Sequence, residues 1–222
     1  MASGAVRSRG SERGLQILLY LFMAATGFLV VYPLWFILTA SLSEPNAVLR
    51  GENLLWPAGF QTEGYARIFR NGVVFRGYAN SMLYAVAGAL CSLATILPFA
   101  FALSRRRFAL RRLFTVLLVI PMYFSGGLIP QFLVMRALGL FDTRALIVLL
   151  GCFGAWNVFI ARTYFMSTLP EELYEAHVVE GGDYFQYFFR IVLPLSGAIV
   201  AVIALFSGVA QWNDFFKGLI YL

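Results

Sequence analysis

Residues able to do chemistry are sparse in this 222-residue chain, and they gather in one place. Five of its eleven acids, Glu171, Glu172, Glu175, Glu180 and Asp183, fall within residues 166–194, together with the only histidine, His177. Acid–base work by a histidine and carboxylates is conceivable on type alone, but a hydrolase acting within a membrane needs a serine partner at membrane depth. His177 sits instead in a polar connection without one. No His/Cys cluster offers metal ligands. The only lysine, Lys217, lies in Phe-Phe-Lys-Gly-Leu, whereas a phosphate-cradling loop needs glycines followed by Lys-Ser/Thr. No catalytic residue, metal site or cofactor is expected, and the chain is read as a non-enzyme with no ATP site of its own.

The elements that position the acidic segment are apolar. The composition is 60% hydrophobic and 13% charged, with a mean hydropathy of +0.77, too greasy for an ordinary soluble domain and the opposite of a disordered one. Counting about 20 apolar residues per crossing gives five spans, near Leu15–Ala40, Tyr78–Leu103, Leu113–Leu138, Ala145–Tyr164 and Leu195–Trp212. The first is too long for a signal peptide and runs into Tyr32-Pro33-Leu34-Trp35-Phe36 rather than a small-residue cleavage site. It is read as a retained span. Cys91 and Cys152 both lie in apolar runs and are read as packing residues.

All the other basic residues are arginines, and they orient the spans. With the N-terminus inside, ten basic residues fall on inner segments and seven on outer ones, and the short turn holding Arg105, Arg106, Arg107, Arg111 and Arg112 dominates. Arg7 belongs to the same inner set. These arginines flank spans and have no aromatic reading surface around them, so a net charge of +6 points to a bilayer and not to nucleic acid. The expected organisation is a cytoplasmic tail over 1–14, a transmembrane domain over 15–222, an outer loop over 41–77 and the acidic inner loop over 166–194.

No acid lies in mid-span, which disfavours a proton- or sodium-coupled carrier working alone. The inner loop is longer than a helix connection needs, and its acidity is unlike the basic face of a helix lying on a membrane surface. A basic protein partner fits it better. Its grammar predicts helix, turn, helix. Thr168 and Glu171 have capping-box spacing with Pro170 in the first turn, and Leu173 and Ala176 share one side of the first helix. Gly181-Gly182 supply the turn, Asp183 caps the second helix, and Phe185, Phe188, Phe189 and Val192 form its apolar face. Leu193-Pro194 closes it.

The order Glu175-Ala176-His177, three residues, Gly181, nine residues, Ile191, one residue, Leu193-Pro194 resembles the EAA signature of the membrane-spanning subunits of binding-protein-dependent ABC importers. Pro170-Glu171-Glu172-Leu173, the stretch Phe189 to Ser196, and Trp212-Asn213-Asp214-Phe215-Phe216 are similar to its carbohydrate-uptake, maltose-system branch. The resemblance extends over Tyr32 to Leu222, and departs where His177 stands in place of the usual alanine and where Gly181-Gly182 follows Glu180. His177 is expected on the solvated side of the loop.

That resemblance implies an all-α polytopic helical bundle of the type I importer permease kind, in the cell membrane, importing sugars, with oligosaccharides the expected size class. The family has six spans, so five spans ending at Leu222 lead to the expectation of a truncated product. It implies as partners cytoplasmic ATPase subunits that bind the ATP, a second, non-identical permease subunit, an extracytoplasmic solute-binding protein and the oligosaccharide itself. Glu175, Ala176, Gly181, Ile191, Leu193 and Pro194 would couple to the ATPase. Gly126, Gly127 and Pro130 should break the third span, where loosened backbone is tolerated if it lines a cavity. Sugar sites use stacked aromatics and neutral hydrogen-bonding groups, so Tyr123 and Gln131 beside that break, with Asn157 of the fourth span, are the candidate pathway residues, and Ser125 and Gln211 are further polar groups. The outer segment with Trp56, Pro57 and Tyr65 is the candidate docking surface for the binding protein. Two rival readings remain at this point: a membrane scaffold that binds a soluble partner through the same loop, and a polar-amino-acid or peptide permease.

Overall fold

The computed structural model describes residues 9–222, with side chains from residue 13 onward. Arg7 and most of the expected 1–14 tail lie outside the described residues. Among those residues the chain is helical, with no strand. The described residues divide into two compact units, one up to Phe75 and one over Arg76–Leu222.

The first unit is built on α1 (Arg9–Ser41), followed by α2 (Pro45–Leu49) and α3 (Glu63–Arg70). At about 1.5 Å per residue α1 exceeds the roughly 30 Å of hydrocarbon it must cross. Its apolar side chains stand exposed all round, the pattern of a helix solvated by lipid. Past α1 the chain needs polar partners, and it finds them locally. Thr39 and Ser43 are buried; Thr39 Oγ1 donates to the Asn53 carbonyl (3.2 Å), while Ser43 Oγ donates to the Thr39 carbonyl (2.6 Å) and accepts from the Ala58 amide (3.1 Å). Trp35 Nε1 donates to the Leu55 carbonyl and its ring meets Trp56 edge-on at 6.2 Å. These bonds fold the connection that follows α1 over the end of that helix, leaving Trp56 exposed.

The second unit takes up nearly all of α4 (Gly72–Ser104), then α5 (Arg111–Tyr123), α6 (Leu128–Ala137), α7 (Arg144–Gly151) and α8 (Ala155–Thr168). After these come α9 (Glu171–Val179), α10 (Tyr184–Tyr187), a π turn over Phe188–Val192, α11 (Leu193–Leu195), α12 (Gly197–Asn213) and α13 (Phe215–Tyr221). Ile96, Ala100 and Leu103 of α4 and Val158, Ala161 and Phe165 of α8 recur at helical spacing and are fully buried. Their alternation of small and large residues lets helices approach closely, and the same core takes in Leu118 of α5 and Ile203 of α12.

Arg13–Ser41 and Gly72–Ser104 are long and apolar enough to cross a membrane unbroken. The other expected spans are interrupted. Residues 124–127 separate α5 from α6, with Gly127 at φ +82°, which bears out the break expected at Gly126-Gly127. The expected fourth span is broken as well: α7 and α8 meet at 47° across residues 152–154. The fifth, α12, turns 82° from the helical segment before it.

Candidate functional site

The acidic segment forms an arm with the expected helix–turn–helix order. Its first helix, α9, ends in a tight reverse turn: the Gly182 amide donates to the His177 carbonyl (3.0 Å) and the Gly181 amide to the Val178 carbonyl (2.9 Å). This pair of bonds needs a left-handed residue between them, and Gly181 supplies it at φ +82°. Asp183 caps the second helix as expected, its carboxylate accepting from the Gln186 amide at 2.7 Å.

Four local expectations are corrected. The Thr168–Glu171 capping box does not form, because α8 runs through Thr168 and Pro170 itself takes the N-cap position of α9. A proline holds the residue before it extended, and Leu169 is extended. On α9 the buried side chain is Tyr174, which the sequence did not single out, while Leu173 and Ala176 are exposed. His177 is half-buried one turn later, its ring 5.6 Å from that of Tyr187 and pressed on Gly182, and not on the solvated side. In the second half the π turn adds a residue and rotates the apolar face. Tyr187, Phe188 and Val192 are buried, while Phe185 and Phe189 stay out, 4.7 Å apart. Pro194 does not end the helix; α11 carries it to Leu195 and the bend falls at Ser196.

The arm is fastened to α4 through Arg105. Its guanidinium is almost fully buried, with Nη1 3.6 Å from Glu171 Oε2 and the central carbon 4.7 Å and 5.8 Å from the Phe101 and Tyr187 ring centres. Tyr174 stacks on Tyr184 at 4.3 Å and meets Tyr187 edge-on at 5.3 Å. Burial pushes the Tyr174 and Tyr187 hydroxyls above their ordinary range, so the aromatic hinge carries no charge at neutral pH. Glu172, Glu175, Ala176 and Glu180 face outward, so α9 presents an acidic surface on one side and is bolted to the bundle on the other.

A second feature lies at the break between α7 and α8. A helix end leaves carbonyls without partners, which in a membrane must be satisfied by protein or cavity water. Gln211 of α12, nearly fully buried, donates through Nε2 to the Ile147 (3.2 Å) and Val148 (3.3 Å) carbonyls. Thr95 of α4 donates to the Cys152 carbonyl at 3.0 Å. A Cβ on Gly88 would stand 2.7 Å from the Gln211 side chain and one on Gly151 would overlap it, so only glycine admits the glutamine. Beside it lies a cavity of about 240 Å³, lined by Asn157, Ser207, Gln211 and the Asp214–Lys217 ion pair, 2.5 Å long. Gln211 Oε1 and Ser207 Oγ are buried there without hydrogen-bond partners among the described residues.

The candidate residues are thus divided. Glu175, Ala176, Gly181, Ile191, Leu193 and Pro194 lie along one arm. Asn157 lines the cavity; Tyr123, Ser125 and Gln131 are exposed and line none of it. Sequence reasoning counted Arg105 only as one of five orienting arginines and passed over Ser207. A buried cation is signalled in sequence only by its position directly after the apolar run of α4, a weak signal.

A family profile described as a binding-protein-dependent transport system inner membrane component matches residues 92–221. Protein LplC of Bacillus subtilis is 32% identical over 91% of this chain and 68% of its own. The polygalacturonan/rhamnogalacturonan transport system permease protein YtcP of the same organism is 32% identical over 95% and 73%. The arabinooligosaccharides transport system permease protein AraQ of Halalkalibacterium halodurans is 29% identical over 94% and 76%. Among solved structures, a chain of a bacterial ABC transporter involved in the import of the acidic polysaccharide alginate superposes with a TM-score of 0.92. It is 32% identical and is matched over 99% of this chain and 78% of its own.

Proposed function

The chain belongs to the family of binding-protein-dependent transport system inner membrane components, and from that premise we propose that it is the sugar-permease subunit of an ATP-driven oligosaccharide importer. The relatives named for polygalacturonan/rhamnogalacturonan and arabinooligosaccharide transport, and the structure of an alginate importer, support the substrate class. The observation that carries the mechanism is the arm: an acidic outer face on α9, a buried bolt from Arg105 to Glu171, and helical continuity through the π turn to the 82° bend at α12.

A cytoplasmic ATPase subunit grips the acidic face of α9, with Glu175 the charged contact and Gly181 setting the angle between the two halves of the arm. When the ATPase pair closes on ATP, the arm moves as a rigid body. Because Arg105 ties it to α4 and residues 193–196 tie it to α12, both helices move with it. This chain performs no bond chemistry and holds no ATP. Its N-terminus is cytoplasmic, which sets the arginine-rich 105–112 turn and the arm on the same, inner side.

The pathway half supplied by this chain runs past the cavity at the α7–α8 break. Gln211 Oε1 can accept from a sugar hydroxyl, while Ser207 Oγ and Asn157 can donate or accept. The Asp214–Lys217 pair is internally neutralised and adds no net charge. A second permease subunit of different sequence completes the channel. A loaded extracytoplasmic binding protein docks on the 41–77 connection, where Trp56 stands exposed.

Proteoliposomes holding this chain, a second permease, the ATPase pair and the binding protein should take up labelled oligosaccharide only with ATP inside the inward-facing compartment. Uptake driven by an ion gradient without ATP would overturn the assignment, as would ATP-dependent import of amino acids with no import of sugars.

A further inference from the structure

The inner end of α4 and the arm leave between them an open groove of about 540 Å³. Its walls are Pro98, Phe101, Phe108, Phe185, Phe188 and Phe189, and among the described residues only Arg105 and Arg107 bring charge to its lining. The charge sits at one end. Pro98 lies on α4 seven residues before Arg105, which directly follows that helix, so the apolar wall rises about 10 Å from the arginine level toward the hydrocarbon. Phe185 is 71% exposed and Phe189 48%, a large apolar surface to leave in water.

The arginines are short of counter-charge. Among the described residues only Arg105 of the 105–112 cluster has a carboxylate within salt-bridge reach, the 3.6 Å contact to Glu171, which turns it inward. Arg107 is exposed at the mouth of the groove and has none. A phenyl-lined channel rising into hydrocarbon from an unpaired guanidinium at the interface is complementary to one class of molecule, a lipid with a negative headgroup. We propose that this groove is a binding site for an anionic phospholipid of the inner leaflet, with an acyl chain along the phenylalanines and the phosphate on Arg107. Bound there, the lipid bridges α4 and the second half of the arm, so inner-leaflet composition tunes how firmly arm and bundle move together. The inference rests on the cytoplasmic placement of the arm proposed above.

The test uses the assembled importer in nanodiscs, carrying Phe185→Trp, or Phe189→Trp if that variant does not assemble, with the unsubstituted complex giving the background from all native tryptophans, four of them in this chain. Quenching of the introduced indole by brominated phosphatidylglycerol should exceed quenching by brominated phosphatidylcholine. Adding Arg107→Gln should weaken that preference about fivefold, the share of one interfacial arginine. Equal quenching by both lipids would mean ordinary boundary lipid, and quenching by neither would mean that a protein segment fills the groove; either result overturns the site. Orientation is read separately by labelling Glu172→Cys with a membrane-impermeant maleimide in inside-out vesicles. Labelling only from the opposite side would overturn the inner-leaflet assignment whatever the quenching shows. Neither arm reads uptake, so a wrong substrate class leaves the result intact.

Discussion

Arg105 and Glu171 stand 3.6 Å apart, one almost fully buried at the end of α4 and the other half-exposed at the start of α9. The asymmetry matters energetically. Removing Glu171 leaves a buried guanidinium facing two aromatic rings, whereas removing Arg105 leaves a carboxylate that water can reach. Glu171→Gln should therefore destabilise the complex by about 1–3 kcal/mol, and Arg105→Met by less than the loss of a charge pair would suggest. In the double variant the two losses should not add, and uptake per ATP hydrolysed should fall in each. Thermal denaturation with paired uptake and hydrolysis rates checks this; additive losses would mean the two side chains act independently.

The chain turn beyond α9 gives a second coupling. A Cβ on Gly182 would overlap the His177 imidazole. Gly182→Ala should cost about 1–3 kcal/mol through overpacking, and His177→Ala should return most of it. Gly181→Ala, at φ +82°, should cost about 1–2 kcal/mol, with no rescue by His177→Ala. Melting of the four variants separates the steric effect from the backbone effect.

How much of this was legible beforehand follows from which signals are local. The arm's order, the Gly181 turn and the Asp183 cap are set by residues two to four apart, and sequence order alone discloses them. So does the break at Gly126-Gly127, where two adjacent glycines cannot hold a helix. The inward face of α9 is not disclosed by sequence, because Leu173 and Tyr174 are both apolar enough to be buried and the choice is made by Tyr184 and Tyr187 across the turn. The π turn was invisible for a related reason: Phe185, Phe188, Phe189 and Val192 fit an α-helical stripe, and an added backbone residue rotated half of it outward. The cavity is assembled from α7, α8, α12 and α13, so Ser207 and Gln211 acquire meaning only once the α7–α8 break exposes carbonyls for Gln211 to satisfy. Nothing near Cys152 in the sequence marks that break as clearly as paired glycines mark the other.

Glu175 is exposed on the outer face of α9 and has no ion-pair partner among the described residues. Glu175→Lys should leave folding within about 0.5 kcal/mol, as surface substitutions do. It should nonetheless lower uptake at least about tenfold, by setting a cation against the basic ATPase surface proposed for it. Co-purification of the ATPase at normal yield together with normal uptake would refute the contact.

Pairing makes a prediction about composition. Under the proposal that this chain lines only part of the pathway beside a permease of different sequence, a complex containing two copies of this chain and no other permease should hydrolyse ATP poorly and import nothing. Co-expression with the second permease should restore both. Robust uptake by the single-permease complex, measured in proteoliposomes, would show that the channel is homodimeric.

The cavity prediction turns on separating support from contact. Gln211 does both: Nε2 satisfies the Ile147 and Val148 carbonyls, and Oε1 faces the cavity without a partner. Gln211→Leu strips two buried carbonyls of their donor, so it should destabilise the bundle by about 1–3 kcal/mol and lower uptake for that reason alone. Ser207 makes no protein hydrogen bond through Oγ. Ser207→Ala should therefore leave melting unchanged, or raise it slightly, since an unpartnered buried hydroxyl is removed. If a sugar hydroxyl bonds to that oxygen during passage, Ser207→Ala should still lower the maximal uptake rate severalfold, by the loss of one hydrogen bond worth about 1 kcal/mol. Asn157→Ala should do the same, while Tyr123→Ala and Gln131→Ala, outside the cavity, should not. Equal uptake by all four variants would show that the substrate passes elsewhere.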